Sequence, residues 1–294
     1  MDAYDLTNDP RAVAAIRAAL AEDIGSGDAT TLALVDPAAR AEGALLAREA
    51  CRVAGADVGK KVFERVDSGL QVEIVAPDSA DVAAGGVILT VRGAAASILT
   101  AERTALNFMQ RMCGIATLTS RFAEAVKEYG TMILDTRKTT PGLRLFEKYA
   151  VLCGGGHNHR FGLFDRVLIK DNHRRLWQGS DPDRLDLAVA AARKSFPTLE
   201  VEVEVESVAE CVSALRGRPD WIMLDNMNCG MMRECVELCR GIARTEASGG
   251  IMIERAREVA ATGVDAISLG CLTHSAPSVD LSLEWSDGLP EPGQ

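Results

Sequence analysis

Six runs of this chain end in side chains that can do chemistry, and each closes a strand-like stretch. The first ends in Asp135-Thr136-Arg137-Lys138-Thr139-Thr140 and the second in Lys170-Asp171-Asn172-His173. The third carries Glu202, Glu204 and Glu206, and the fourth ends in Leu224-Asp225-Asn226. Ala247-Ser248-Gly249-Gly250 follows the fifth, and Ser268-Leu269-Gly270 closes the last. Barrels and open α/β sheets place their sites at the C-terminal ends of parallel strands. Reactive residues at six successive strand ends therefore point to one site.

The chemistry divides by residue type. From Glu200 to Glu206 valine and glutamate alternate strictly, so one strand face is apolar and the other is carboxylate. Inside a strand–helix series both faces are covered, and buried carboxylates need partners. A divalent ion, sugar hydroxyls or a basic segment can serve. Asp225, at the next strand end, can join Glu204 around one magnesium ion, which takes few protein carboxylates and usually bridges to substrate phosphate. Ser248-Gly249-Gly250 precedes a helix expected near residue 254. Glycine lets backbone N–H groups close on a phosphate, and a helix N-terminus favours an anion. Gly154-Gly155-Gly156-His157-Asn158-His159-Arg160 opens a close backbone approach beside an arginine fork suited to carboxylate. Arg137, Lys138 and Arg160 together can hold a dianion. His157 is expected to be a loop histidine bonded to backbone.

Charge is concentrated in the same region. Residues 137–175 hold nine Lys or Arg and three acids, a local +6 in a chain whose net charge is −10, and three of the four histidines. An acidic protein with one basic segment suits a small, highly anionic ligand. It does not suit non-specific binding of nucleic acid.

The elements that position these residues fall into two groups. Before Gly130 the pattern is a small domain with antiparallel strands. It has helices at residues 10–22 and 57–66 and strands at 44–48, 71–76 and 87–91. A long helix from about 97 to 129 follows, with a bend expected at Gly114. After Gly130 strands alternate with helices. The strands are expected at 132–135, 167–170, 201–206, 221–225, 242–246 and 266–269. The helices are expected at 185–195, 208–216, 231–240 and 254–261. Such units imply a parallel sheet, open or closed into a barrel.

At 294 residues, 47% hydrophobic and 25% charged, the chain has the composition of a globular enzyme. Whole-chain disorder and collagen-like repeats are excluded. No run approaches the roughly 20 apolar residues of a membrane span. The acidic start lacks the order of a secretory signal, and a cytoplasmic protein is expected. The eight cysteines include no C-x-x-C pair and are expected to be buried, reduced thiols. Cys229, Cys235 and Cys239 lack a neighbouring histidine, which argues against zinc.

With these residues assembled, the sequence resembles the quinolinate phosphoribosyltransferase family over nearly its whole length. The matching motifs are Glu22-Asp23-Ile24-Gly25 with Gly27-Asp28, Thr100-Ala101-Glu102-Arg103-Thr104-Ala105-Leu106-Asn107, Asp135 to Arg144, Glu147-Lys148-Tyr149, Gly154-Gly155-Gly156 with Asn158-His159-Arg160, Ile169 to His173, Leu224-Asp225-Asn226 and Glu246 to Gly250. The Thr-Arg-Lys-Thr-Thr-Pro-Gly and Lys-Asp-Asn-His strings are specific.

The resemblance implies an α/β protein with an N-terminal α/β sandwich domain followed by an incomplete, open α/β barrel of TIM-like type. The first domain would span residues 1–115 and the barrel 116–274, with the tail from about 275 to 294 returning to the first domain. It implies a homodimer in which Arg103 completes the partner's site. It also implies transfer of the phosphoribosyl group of 5-phosphoribosyl-1-pyrophosphate (PRPP) to quinolinate, with magnesium. The products would be nicotinate mononucleotide, pyrophosphate and CO2, a step of de novo NAD biosynthesis.

By the same resemblance, Arg103, Arg137, His159, Arg160 and Lys170 would hold quinolinate's carboxylates. Lys138 would face the pyrophosphate with Lys170 nearby, and Thr139 would contact PRPP. Glu204 and Asp225 would bind ribose hydroxyls and magnesium. Ser248, Gly249, Gly250 and Gly270 would hold the 5′-phosphate. Lys138, Lys170, Glu204 and Asp225 would carry the chemistry, with no protein nucleophile. A nicotinate-specific transferase, a molybdate-transport-associated paralogue, a Schiff-base lyase using Lys170 and a phosphosugar sensor are the rival readings.

Overall fold

The valine-and-carboxylate run at residues 201–205 is a strand buried along its whole length, as a parallel sheet covered on both faces requires. It belongs to a computed structural model that describes residues 6–177, 181 and 183–286. In chain order the first elements are α1 (Pro10–Ile24), α2 (Ala29–Leu34), β1 (Arg40–Ala47), β2 (Cys51–Arg52), α3 (Ala56–Val66), β3 (Gln71–Ile74), β4 (Asp81–Val82), β5 (Val87–Ala94) and α4 (Ala95–Val126). Next come β6 (Met132–Leu134), α5 (Arg144–Cys153), β7 (Val167–Ile169), α6 (Asp171–Leu176), α7 (Leu185–Ser195), β8 (Val201–Val205) and α8 (Val208–Leu215). The last are β9 (Trp221–Asp225), α9 (Cys229–Cys239), β10 (Arg244–Ser248), α10 (Ile253–Ala260), β11 (Ala266–Ser268), α11 (Cys271–His274) and β12 (Leu281–Trp285).

The described chain divides into two compact units. One is drawn from Met1–Ser120, Thr139–Gly155 and Leu272–Gln294, and the other from Arg121–Lys138 and Gly156–Cys271. The expected tail reaches past residue 286, and its last eight residues lie outside the described part.

The first unit holds a four-stranded antiparallel sheet in the order β12-β1-β5-β3. Its helices show why they form. Asp9 caps α1 by accepting from Arg11 N at 2.8 Å, and Pro10 supplies a φ already suited to the first turn. Ala12, Ile16 and Leu20, four residues apart, are the buried stripe. The long helix is α-helical through residue 126 and tightens into a 3-10 turn over Lys127–Tyr129, where Gly130 at φ 68° ends it. Gly114 lies inside continuous α-helix rather than ending it. A Cβ there would sit 1.9 Å from the Pro277 carbonyl oxygen, so glycine permits a close backbone approach.

Helix α5 is absent from the sequence expectation. Its buried face contains Glu147 and Lys148 among Phe146, Ala150 and Val151, which breaks the apolar periodicity. Glu147 is compensated by Arg111 Nη2 at 2.9 Å and Thr140 N at 3.0 Å.

The second unit holds six parallel strands in the order β6-β11-β10-β9-β8-β7. The sheet does not close, since β6 and β7, consecutive in the chain, are its two edges. The strand expected at 242–246 forms two residues later. Ile242 N and Ala243 N bond the Cys239 carbonyl at 2.9 and 3.0 Å, finishing the turn after α9.

Followed in register, one sheet face carries Leu168, Glu202, Glu204, Met223, Asp225, Glu246, Ser248, Ala266, Ser268 and Leu134. Trp221, Ala266 and Leu134 pack together, with Met132 against them. The carboxylates and serines share the face with this apolar cluster. All eight cysteines are free thiols, seven of them buried. No helix among the described residues is long and apolar enough to cross a membrane.

Candidate active site

Strand ends β7 to β11 gather most of the expected residues in the second unit. Lys170 follows β7 and starts α6, its backbone N–H donating to His173 Nδ1 at 2.9 Å. Its Nζ donates to Glu204 Oε2 on the adjacent strand β8. Asp225 ends β9, and its Oδ2 accepts from Asn226 Nδ2 at 2.6 Å. Asn226 takes a left-handed φ of 55°, a conformation that asparagine tolerates better than most residues. Its N–H reaches the Ser248 carbonyl at 3.0 Å, tying the β9 turn to the β10 turn.

Gly249 and Gly250 follow Ser248 with φ of +101° and +57°. A Cβ on Gly249 would lie 2.2 Å from Asn226 Oδ1, so only glycine lets these turns interlock. Helix α10 then begins at Ile253 with no side-chain cap from Met252. Such an N-terminus presents backbone N–H groups to an anion. Gly270 lies just past β11 and before α11.

The cationic side is built on the residues after β6 and after the glycine run. Asp135, fully buried, accepts from His159 N at 2.8 Å and fixes where the second segment turns. The Arg137 charge acts on Arg160. Burial and then the Arg137 charge push the Arg160 guanidinium down from its ordinary value. Two like charges held together in this way favour an anion between them. Arg160 is steadied by donating from Nη1 to the Arg166 carbonyl at 3.2 Å. Lys138 is exposed, and its N–H donates to Thr136 Oγ1 at 3.0 Å. His157 is an exposed loop residue whose N–H donates to the Ile133 carbonyl at 2.7 Å.

Two expected site residues, Arg103 and Thr139, belong to the first unit. Arg103 is exposed on α4, and Thr139 Oγ1 accepts from Arg144 Nε at 2.9 Å.

His159, expected to hold a substrate carboxylate, is packed among protein groups. It is buried, its Nδ1 accepts from Arg160 N at 2.7 Å, and its Nε2 lies 2.9 Å from Glu202 Oε2 and 3.5 Å from Glu246 Oε2. Both ring nitrogens therefore face protein groups. Burial works against the Glu202 charge. The His159 hydrogen bond and Arg166 at 3.3 Å outweigh it and hold that carboxyl below its usual range. Glu246 behaves oppositely, since burial and then the Glu202 charge push it well above the usual range. Sequence reasoning gave Glu202 no role beyond the carboxylate face and Glu246 none beyond a motif. The signal was the strict alternation of β8, which demands partners for every inward carboxylate.

Comparison with known proteins identifies the family. The model of the quinolinate phosphoribosyl transferase N-terminal domain matches residues 28–113, and that of the C-terminal domain matches residues 115–284. A chloroplastic nicotinate-nucleotide pyrophosphorylase [carboxylating] of Oryza sativa subsp. japonica is 41% identical over 287 residues, covering 92% of this chain and 76% of the relative. A probable nicotinate-nucleotide pyrophosphorylase [carboxylating] of Bacillus subtilis (strain 168) is 39% identical over 263 residues, covering 90% and 89%. The structure of the nicotinate-nucleotide pyrophosphorylase from Francisella tularensis superposes with a TM-score of 0.88 at 38% identity, covering 96% of this chain and 99% of the other. Matched in both domains and along nine-tenths of its length, the chain belongs to the quinolinate phosphoribosyltransferase family.

Proposed function

We propose that this chain transfers the phosphoribosyl group of PRPP to quinolinate with decarboxylation, giving nicotinate mononucleotide, pyrophosphate and CO2 in NAD biosynthesis. The observation that carries the reading is the opposed pair Arg137 and Arg160 beside the carboxylate-bearing strand ends. Two close guanidinium groups answer a dicarboxylate, while a monocarboxylate substrate leaves one of them without a counter-charge.

Arg137, Arg160 and Lys170 hold quinolinate's carboxylates, and Arg103 of a second copy completes the set. Lys138 and Thr139 face the pyrophosphate. Ser248, Gly249, Gly250 and Gly270 hold the 5′-phosphate against the start of α10. Glu204 and Asp225 bind ribose hydroxyls. The same two carboxylates are hard oxygen donors on neighbouring strands, the donor set that suits magnesium. Magnesium held there would supply positive charge to the departing pyrophosphate.

The pyridine nitrogen attacks C1′ as the bond from C1′ to the pyrophosphate oxygen breaks. The sugar passes through an oxocarbenium-like state, whose positive charge Glu204 or Asp225 stabilises. As the adjacent carboxylate departs as CO2, its bonding pair stays on the ring carbon, stabilised by the neighbouring quaternised nitrogen, and that carbon then takes up a proton. Positioning and electrostatics do the catalysis, without a protein nucleophile.

Two features support a homodimer. Leu32 and Leu34 on α2 are 78% and 79% exposed, an apolar pair of the kind that association covers. Asp28, which caps α2, also accepts from Thr100 Oγ1 at 3.3 Å, one turn before Arg103 on α4. The free thiols fit a reducing cytoplasm.

The test mixes protein, PRPP and magnesium with quinolinate or, separately, nicotinate, and follows pyrophosphate and CO2. Stoichiometric release of both with quinolinate alone is expected. Release of pyrophosphate with nicotinate and none with quinolinate would overturn the carboxylate assignment.

A further inference from the structure

We infer that Glu202 and Glu246 are positioning residues that pin the His159 ring, and through it the backbone and guanidinium of Arg160, in the geometry that receives an anionic substrate. The inference rests on the quinolinate reading above and deepens it. His159 then works by holding Arg160, not by touching substrate.

Three contacts lock His159. Its N–H donates to Asp135 Oδ1 at 2.8 Å, its Nδ1 accepts from Arg160 N at 2.7 Å, and its Nε2 faces Glu202 at 2.9 Å. A ring nitrogen that accepts a backbone N–H carries no proton of its own. The ring proton therefore sits on Nε2, 2.9 Å from Glu202 Oε2 and 3.5 Å from Glu246 Oε2. Glu202 and Glu246 are both fully buried, so two charges there would repel strongly in a dry interior. Neither Glu246 oxygen meets a hydrogen-bond donor of suitable geometry, and Ser268 Oγ beside them is buried as well. Burial of both carboxyls favours keeping a proton on one of them. Glu202 is the carboxyl paired with Arg166 and nearest the ring. Glu246 is the proton carrier.

His159, Glu202 and Glu246 also bring one ligand atom each within 4.8 Å of the others, a spacing that could hold a metal. The tautomer argues against this. With Nδ1 accepting from Arg160, Nε2 is protonated and has no lone pair to donate, and Arg166 already neutralises Glu202. The cluster is an internal hydrogen-bonded support.

The test compares Glu246→Gln and Glu246→Ala by steady-state kinetics, with 15N-histidine NMR of the unmodified protein. The amide of Gln can replace the carboxyl O–H, whereas Ala removes it. Glu246→Gln should keep KM for quinolinate within about threefold of the parent, and Glu246→Ala should raise it at least tenfold with KM for PRPP changed less than about threefold. The NMR spectrum should show His159 protonated at Nε2 and not at Nδ1. Equal damage from both substitutions, equal loss for both substrates, or a proton on Nδ1 would overturn the inference. So would one zinc ion per chain in the purified protein that is lost in Glu246→Gln. The NMR readout needs no turnover. If the protein turns over neither substrate while His159 shows the Nε2 tautomer, the reaction assignment fails and the lock on His159 stands.

Discussion

Lys170 and Glu204 are joined side chain to side chain across neighbouring strands, the Nζ of one donating to Oε2 of the other. Lys170 is partly open to solvent, while Glu204 is nearly buried. On the proposed reading the pair would join two tasks, the lysine toward the carboxylate substrate and the glutamate toward the ribose. Lys170→Ala should cost more than a lost contact, because it also leaves Glu204 without its cation. Losses of about 1.5–3 kcal/mol for each charge-assisted bond correspond to roughly 10- to 100-fold in kcat/KM. A Lys170→Ala, Glu204→Ala double-mutant cycle should show the two effects to be strongly non-additive. Additive losses would mean that the residues act independently.

The Arg137 charge works against the Arg160 guanidinium, and a bound anion would offset it. Quinolinate should therefore raise the melting temperature of the parent, and nicotinate should raise it less. Arg137→Ala should abolish most of the quinolinate-induced shift, while the shift produced by PRPP with magnesium is largely kept. Differential scanning fluorimetry checks this, and equal loss of both shifts would remove Arg137 from the carboxylate pocket.

Much of this arrangement could be read from residue order. The alternation of strands and helices after Gly130 identified the parallel sheet, and five of its six strands began within a residue of where hydrophobicity put them. The sixth, β10, slipped by two because Ile242 and Ala243 are apolar yet finish a helix turn. Helix α5 was hidden because Glu147 and Lys148 occupy its buried face. Nothing local announces that Arg111 will come across to neutralise Glu147. The same holds within the site. Sequence spacing placed His159 beside Arg160, but only the fold shows its ring turned toward Glu202 and Glu246. Side-chain direction in a loop depends on long-range partners, and local periodicity carries no record of them.

Glu246 also makes a pH prediction. Its folded-state carboxyl is raised above the ordinary value of 4.5, so folding holds a proton that the unfolded chain gives up. Glu202 on β8, His159, and Arg166 are the charged or titratable groups that face it. The stability gained by keeping this proton is complete below the ordinary value and is lost as pH rises toward the folded one. In that window the loss reaches about 1.4 kcal/mol per pH unit. Glutamine has no proton to release. The melting temperature of Glu246→Gln should therefore gain on the parent as the pH is raised above the ordinary carboxyl value. Parallel melting curves above that value would show that Glu246 is ionised in the folded protein.

Magnesium should separate the two substrates. On the proposed reading Glu204 and Asp225 would lie on the PRPP side, and the arginines assigned to quinolinate would need no metal. Chelation with EDTA should stop pyrophosphate release and leave quinolinate binding, measured by calorimetry, within about twofold of its original affinity. Asp225→Asn keeps the shape of the β9 turn, where Asn226 Nδ2 already donates to this side chain, but removes the charge. The variant should need a magnesium concentration roughly tenfold higher for half-maximal rate, the size expected when one anionic ligand of a cation is lost. Quinolinate affinity should not move. If chelation weakens quinolinate binding as much as turnover, the metal sits between both substrates, and Glu204 and Asp225 serve the carboxylate pocket too.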